Sequence, residues 1–516
     1  MSPPSLPAFS LAMGVSPNSA MACFVSHFVA FSSGSALLLL DTRSGHTSRH
    51  QVHSQEITAL KGGSQTCVTG GKDGKLVVWT FPSFTVAELG APIRMIATTS
   101  SKCYFVRGSV VHVNVLSLAS TTLEPEVLLK GKIEGAIDME VLPRESGLAI
   151  LQRNGCLMYR FDAKDAILAS HEVPLTAIAV SPTENCITLG DSFGQIIRLY
   201  TDSGVKTKTH WHSHAVKSLA YTSDGTMLLS GGEEGVIVLW QEATNKKTFL
   251  PRLEAPILNV IISADCSMYG VRLLDNSVKV FQASDYAKIA HFHGLTDPSK
   301  LLPGTQIHLT PYQSDSICLN STPGFLQFYS LKDRQITLRL NCSKRNQVSR
   351  SQNEYPNPAQ VVSVAFGKDW RSMATVERAD CAHFRIAYLK FWGEERKLNT
   401  LVLNPHENDP LKVLSLSKSF ISVGRQGTII EWREGLDEKV GSTWQGSRPV
   451  TYRGLSAIDA CEYQNSLCVA FTSLIVHFSP DFTPQSVIYE KNSENYVQIA
   501  ASGALLVTAT RKVSPT

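Results

Sequence analysis

His210, His212 and His214 alternate in the segment "HWHSH" and fall on one side of the chain if it is extended. Three imidazoles on one side are a donor set that zinc accepts. His212 has a competing structural use, set out below, so the trio reads as structural or exposed histidines and no metal is expected. Lys206 and Lys208 lie just upstream, near Trp211. An aromatic ring beside lysines suits single-stranded RNA: the ring stacks a base and the ammonium groups meet phosphates. Read structurally, the same residues are an edge tryptophan packed between elements, with solvated lysines. Lys246 and Lys247 in "NKK", then Arg252, and further on Lys344 and Arg345, are the other RNA-contact candidates. For these the alternative is a solvated loop or linker.

Covalent chemistry has few candidates. The chain contains no Walker loop, GxSxG, HExxH or GxGxxG segment. Ser, His and Asp recur together, but a repeating structural pattern accounts for the best groupings. The sequence reads as a non-enzyme without a cofactor; an enzyme built on the same scaffold is the reading to exclude.

That repeating pattern must position all these side chains. Alternating apolar runs lead to a Gly-containing turn, and a second short run ends on a bulky residue. The clearest copies are 53–80, 171–200 and 212–240. The terminal positions are Leu40, Trp79, Val113, Tyr159, Leu199, Trp240, Phe281, Phe328, Trp392, Trp432 and Phe478. Period-two alternation in "VKSLAY", "GVIVLW" and "KLVVW" marks strands. Short strands and Gly turns recurring about every 40 residues are the pattern of WD-type β-propeller blades.

Within a blade the residue types have a physical role. His53, Thr69, Asp73 and Trp79 can form a buried chain from indole N–H through hydroxyl and imidazole to carboxylate. Burial tolerates such a chain only if every member is bonded. The second set is His212, Ser230, Glu234 and Trp240, where Glu replaces Asp and predicts a longer, looser network. The copy at 171–200 keeps His171 and Asp191 but ends on Tyr200.

Composition agrees with a globular, strand-rich protein. Hydrophobic residues make up 43% and charged residues 18%, which excludes a mainly disordered chain. The net charge of +4 is low for a protein that wraps duplex DNA. Eleven cysteines are scattered without a CxxC pair and read as reduced, packed side chains in an intracellular compartment. The uncharged stretch from Ala22 to Leu40 is interrupted by "SSGS" and reads as a hairpin of a soluble protein, not a membrane span.

The spacing sets an all-β, tandem-propeller organisation. Residues 1–20 are expected to be a flexible N-terminus, 21–335 a complete seven-bladed propeller with one spare strand set that either closes the ring or belongs to the second propeller, 336–360 a linker and 361–516 a partial second propeller. After 360 the repeat supplies three terminal positions and a partial fourth unit. Three and a half blades cannot close a ring, so the chain is expected to be incomplete, or its missing blades to come from elsewhere.

Longer phrases are more specific. The stretch 210–257 with "ATNKKTFLPRL", "LNSTPGFLQFYSL" at 319–331, "MATVE" at 373–377 and "LKFW…LNT…PHE" at 389–407 resemble the WD-repeat-containing protein 75 family, also called U3 small nucleolar RNA-associated protein 17. The resemblance runs in order from about residue 20 to near 510 and implies a C-terminally shortened member. It implies a non-enzymatic scaffold in the nucleolus, within the transcription-linked U3 protein subcomplex of the small-subunit processome. Its implied partners are other WD-repeat subunits, the U3 ribonucleoprotein and the 5′ external transcribed spacer of pre-rRNA. Its implied role is support of RNA polymerase I transcription and processing toward 18S rRNA. The other reading is a generic WD-type peptide-binding adaptor of another nuclear complex.

Overall fold

The computed structural model describes residues 21–512 except 64, 109–111, 119–125, 131–134, 163–165, 245, 297–306, 310–315, 322–323, 332–334, 344–358, 369–370, 381–384, 418, 438–440, 490–493 and 503–504. Residues 1–20, expected to be a flexible terminus, lie outside the described residues, as do Lys344 and Arg345.

Seven four-stranded antiparallel sheets occupy 22–50, 57–88, 93–130, 136–170, 175–210, 216–249 and 257–293. Each is a meander whose strands pair in chain order. We call them blades 1 to 7. Every terminal position read from the sequence falls on the third strand of its sheet. The uncharged N-terminal stretch forms three strands of blade 1, Ala22–Val25, Phe28–Ser33 and Ala36–Asp41.

Blades pack face to face through their alternating apolar positions. Trp79 of blade 2 lies in one cluster with Cys23, Val25, Leu37 and Leu39 of blade 1. The ring closes between blades 7 and 1. The Ala22 N–H donates to Asn259 Oδ1 at 3.2 Å, and Arg272 Nη1 donates to the Met21 carbonyl at 3.2 Å. Phe24, Val29 and Phe31 share a core with Ile261, Val278 and Val280. Closure therefore uses strands within 22–293 and leaves no spare set.

The two Asp-Gly turns need glycine. Gly74 and Gly225 have φ of +76° and +71°, and a Cβ on Gly225 would lie 2.3 Å from Thr183 Oγ1.

The second compact unit begins earlier than expected: it includes the sheet at 307–341, ahead of the expected start at 361. It holds four-stranded sheets at 307–341, 360–403, 410–446 and 457–489, with Val450–Thr451 added to the third, and a hairpin of Glu494–Ser502 and Leu505–Lys512. Residues expected to open the linker belong to strand Gln335–Asn341. The reason is packing: Cys318, Leu326 and Phe328 of the 307–341 sheet share a core with Val361, Val364 and Trp392 of the next. The spare sheet thus belongs to this unit, which among the described residues holds four full sheets and a hairpin; the part after 360 holds three sheets and a hairpin, matching the repeat count.

The described cysteines are free thiols, all buried except the half-buried Cys266.

Candidate functional site

The blade network forms as the residue spacing requires. Trp79 Nε1 donates to Thr69 Oγ1 at 3.0 Å, Thr69 Oγ1 lies 2.9 Å from His53 Nε2, and His53 Nδ1 lies 3.0 Å from Asp73 Oδ1. A hydroxyl that accepts from the indole must donate its proton onward, so Nε2 accepts and Nδ1–H points at the carboxylate. Burial alone would raise the Asp73 carboxyl. The bonds from His53 and from the Ser54 and Lys75 N–H groups outweigh it and hold the carboxyl below its usual range.

In blade 6 Trp240 Nε1 donates to Ser230 Oγ at 2.8 Å, and Ser230 Oγ lies 2.7 Å from His212 Nε2. Glu234 Oε1 bonds His212 Nδ1 directly, so the longer side chain still closes the chain, but its buried Oε2 has no hydrogen bond among the described residues, whereas both Asp73 oxygens are bonded. The longer side chain folds back over Gly232, where a Cβ would lie 2.2 Å from Glu234 Oε1.

Two further networks escaped sequence reasoning. Trp432 Nε1 donates to Ser422 Oγ at 2.7 Å, Ser422 to His406 Nε2 at 2.7 Å, and His406 Nδ1 to Thr428 Oγ1 at 2.6 Å. The signal was available, because the hydroxyl residue precedes its tryptophan by ten positions in all three networks. Burial pushes His406 down to about 4. In the fourth, Trp392 Nε1 donates to Thr375 Oγ1 at 2.9 Å, beside Glu377. Lys390 Nζ donates to Glu377 Oε2 at 2.7 Å and to the Cys342 carbonyl at 2.6 Å. Burial raises the Glu377 carboxyl to about 7 against the pull of Lys390. Here a lysine replaces the histidine, and the hydroxyl–tryptophan spacing is 17, which hid the motif.

Blade 5 departs from the pattern. Leu189 pairs Ile197 as Thr69 pairs Val77, and Leu199 pairs Ile187 as Trp79 pairs Cys67. Both the hydroxyl and the indole are replaced by leucine. His171 Nε2 stands 3.6 Å from Asp191 Oδ2, and neither atom has a hydrogen bond among the described residues.

The candidate RNA contacts separate into two groups. Lys206 and Lys208 lie on the exposed outer strand of blade 5, Lys206–His210, and face blade 4: Lys206 Nζ is 3.5 Å from the Ser170 carbonyl. Trp211 turns the other way. Its ring stacks on Phe249 of blade 6 at 4.6 Å between centroids, and the two rings are 37% and 46% exposed. Lys247 shares the strand Lys247–Phe249, with Nζ 4.8 Å from the Trp240 ring centroid, and Lys246 and Arg252 are exposed residues flanking that strand in sequence. The single cluster expected around Trp211 is therefore divided. The stacked aromatic pair, with Lys246, Lys247 and Arg252, forms the aromatic-plus-basic surface. Phe249 was missed, although it alternates with Lys247 on one strand.

The three histidines also divide. His212 is in the blade network, His210 Nε2 lies 3.1 Å from the Phe193 carbonyl, and His214 Nδ1 lies 3.0 Å from Ser213 Oγ.

Four-stranded meanders arranged as a closed ring, tied by tryptophan–hydroxyl–histidine–acid chains, define a tandem WD-type propeller protein. Two family models match the chain: "WD repeat-containing protein 75 first beta-propeller" over residues 147–276 and "WD repeat-containing protein 75 second beta-propeller" over residues 309–486. WD repeat-containing protein 75 of Homo sapiens is 33% identical over 45% of this chain and 29% of its own length; that of Xenopus laevis is 28% identical over 61% and 40%. U3 small nucleolar RNA-associated protein 17 of Schizosaccharomyces pombe is 29% identical over 43% of this chain and 33% of its own. The chain belongs to the WD repeat-containing protein 75 family. It spans about two fifths or less of the length of these relatives.

Proposed function

We propose that this chain is a non-enzymatic scaffold in ribosome biogenesis, acting in the nucleolus within the small-subunit processome. In this reading the propellers dock other WD-repeat subunits of the U3 protein subcomplex. The chain contacts early pre-rRNA in the 5′ external transcribed spacer, and so supports RNA polymerase I transcription and 18S rRNA processing. The name of the fission-yeast relative, which associates that protein with U3 small nucleolar RNA, supports the assignment.

The observation that carries the RNA part is the exposed Trp211–Phe249 stack beside Lys246, Lys247 and Arg252. Exposed rings offer a π face to unstacked bases, and mobile ammonium groups follow the phosphates without reading sequence. Lys344 and Arg345 remain candidates outside the described residues. Expression of the tagged chain in cells tests the reading. It predicts nucleolar signal and co-purification of U3 RNA with WD-repeat processome subunits. Signal outside nucleoli without U3 RNA contradicts it.

A further inference from the structure

The missing indole of blade 5 leaves space. A cavity of about 500 Å³ lies between the outer strands of blades 4 and 5, lined by Leu189, Ile197, Leu199, His171, Lys206 and Lys208 among others. Leu199 and Leu189 stand where blade 2 has Trp79 and Thr69, so the apolar part of this cavity corresponds to the place an indole fills elsewhere in the ring. Three features surround it. The outer strands Ile167–Ser170 and Lys206–His210 each pair on one side only among the described residues, leaving backbone donors and acceptors at the rim. Ala169 and Ser170 of the first of them line the cavity. Lys206 and Lys208 reach the mouth, and neither has an ion pair among the described residues.

We infer that this cleft docks an extended acidic segment of a partner protein, which adds a strand at the rim, seats one aromatic side chain in the vacated indole space and sets carboxylates against Lys206 and Lys208. Strand addition supplies backbone bonds, and the pocket selects a side chain. The unpaired strand edges and the aliphatic lining fit a polypeptide. The lining holds no Phe, Tyr, Trp or Arg face for a nucleobase, and its one ring, His171, is largely buried beside Asp191. Glu172 also lines the cleft; it opposes a run of phosphates and directs the acidic end of a peptide toward the two lysines. This groove lies on the blade 4 side of blade 5, apart from the Trp211–Phe249 surface, and does not depend on it.

The test pans the full chain against a phage-displayed library of random dodecapeptides and measures enriched peptides by fluorescence anisotropy. Expected are peptides with one Trp, Phe or Tyr among Asp and Glu. Leu199→Trp, which restores the indole, and the pair Lys206→Glu with Lys208→Glu should each weaken them about tenfold or more. The lysine pair sits on an exposed strand, so it decides the matter if Leu199→Trp fails to fold. Absence of enrichment, or enriched peptides that bind the lysine variant as tightly as the parent chain, overturns the inference. Loss of oligouridylate binding in both variants, with peptide binding unchanged, overturns it in favour of a nucleic acid.

Discussion

His406 Nδ1 lies 2.6 Å from Thr428 Oγ1, so this tryptophan network ends on a hydroxyl where those of blades 2 and 6 end on a carboxylate. Among the described residues no carboxylate bonds this ring to favour the imidazolium, and burial holds His406 neutral down to about pH 4. The sign of its linkage follows. Below the ordinary histidine value the unfolded chain takes up a proton that the folded chain refuses, so stability is present above about pH 6.5 and lost as pH falls toward 4.

Glu377 in the same unit carries the opposite sign. Its carboxyl is raised to about 7 by burial, so the folded chain holds a proton that the unfolded chain releases. Its contribution increases as pH falls from 7 toward the ordinary carboxylate range. Each span of roughly two and a half pH units corresponds to about 3 kcal/mol. The two terms oppose each other in the parent chain. Urea unfolding between pH 7.5 and 5 should show His406→Gln gaining stability relative to the parent as pH falls, and Glu377→Gln losing it. Parallel profiles would contradict both assignments.

Blade 2 provides a stability prediction. Trp79→Ala opens a cavity at the blade 1 interface and leaves Thr69 without its donor; it should cost about 3–5 kcal/mol. Asp73→Ala strands the buried His53 N–H and should cost about 1–3 kcal/mol. Chemical denaturation of the full chain measures both. A Trp79→Ala chain of unchanged stability would mean that this network does not tie the ring.

The aromatic stack makes a binding prediction. Trp211→Ala should weaken single-stranded RNA by about 1–3 kcal/mol, the range for one stacked base. Lys246→Glu with Lys247→Glu should weaken it more at low salt than at high salt and flatten the salt dependence. These residues are exposed, so folding should be unaffected. Filter binding across a salt series measures both effects, and parental affinity at all salts in either variant removes this surface from RNA contact.

Much of the fold was legible because blades repeat. Strand alternation and the repeat's terminal bulky residues placed the third strands, and residue types within the blade repeat gave two complete networks. The unit boundary was not legible, because 307–341 reads as one more blade in either direction; only the packing of Cys318 and Phe328 against Val364 and Trp392 assigns it. Side-chain direction at the rim was hidden for a similar reason. Lys208 and Trp211 are three residues apart, yet one faces blade 4 and the other blade 6. The vacated indole of blade 5 was visible as Leu199 in the terminal series, but its meaning required the strand register that sets Leu199 where blade 2 has Trp79.

Crosslinking of RNA to the tagged chain in cells, followed by sequencing of the bound fragments, tests the central claim most directly. The account predicts reads concentrated in the 5′ external transcribed spacer of pre-rRNA and in U3 RNA, reduced by Trp211→Ala. Reads at background level across pre-rRNA, from a chain that is expressed and folded, would contradict it.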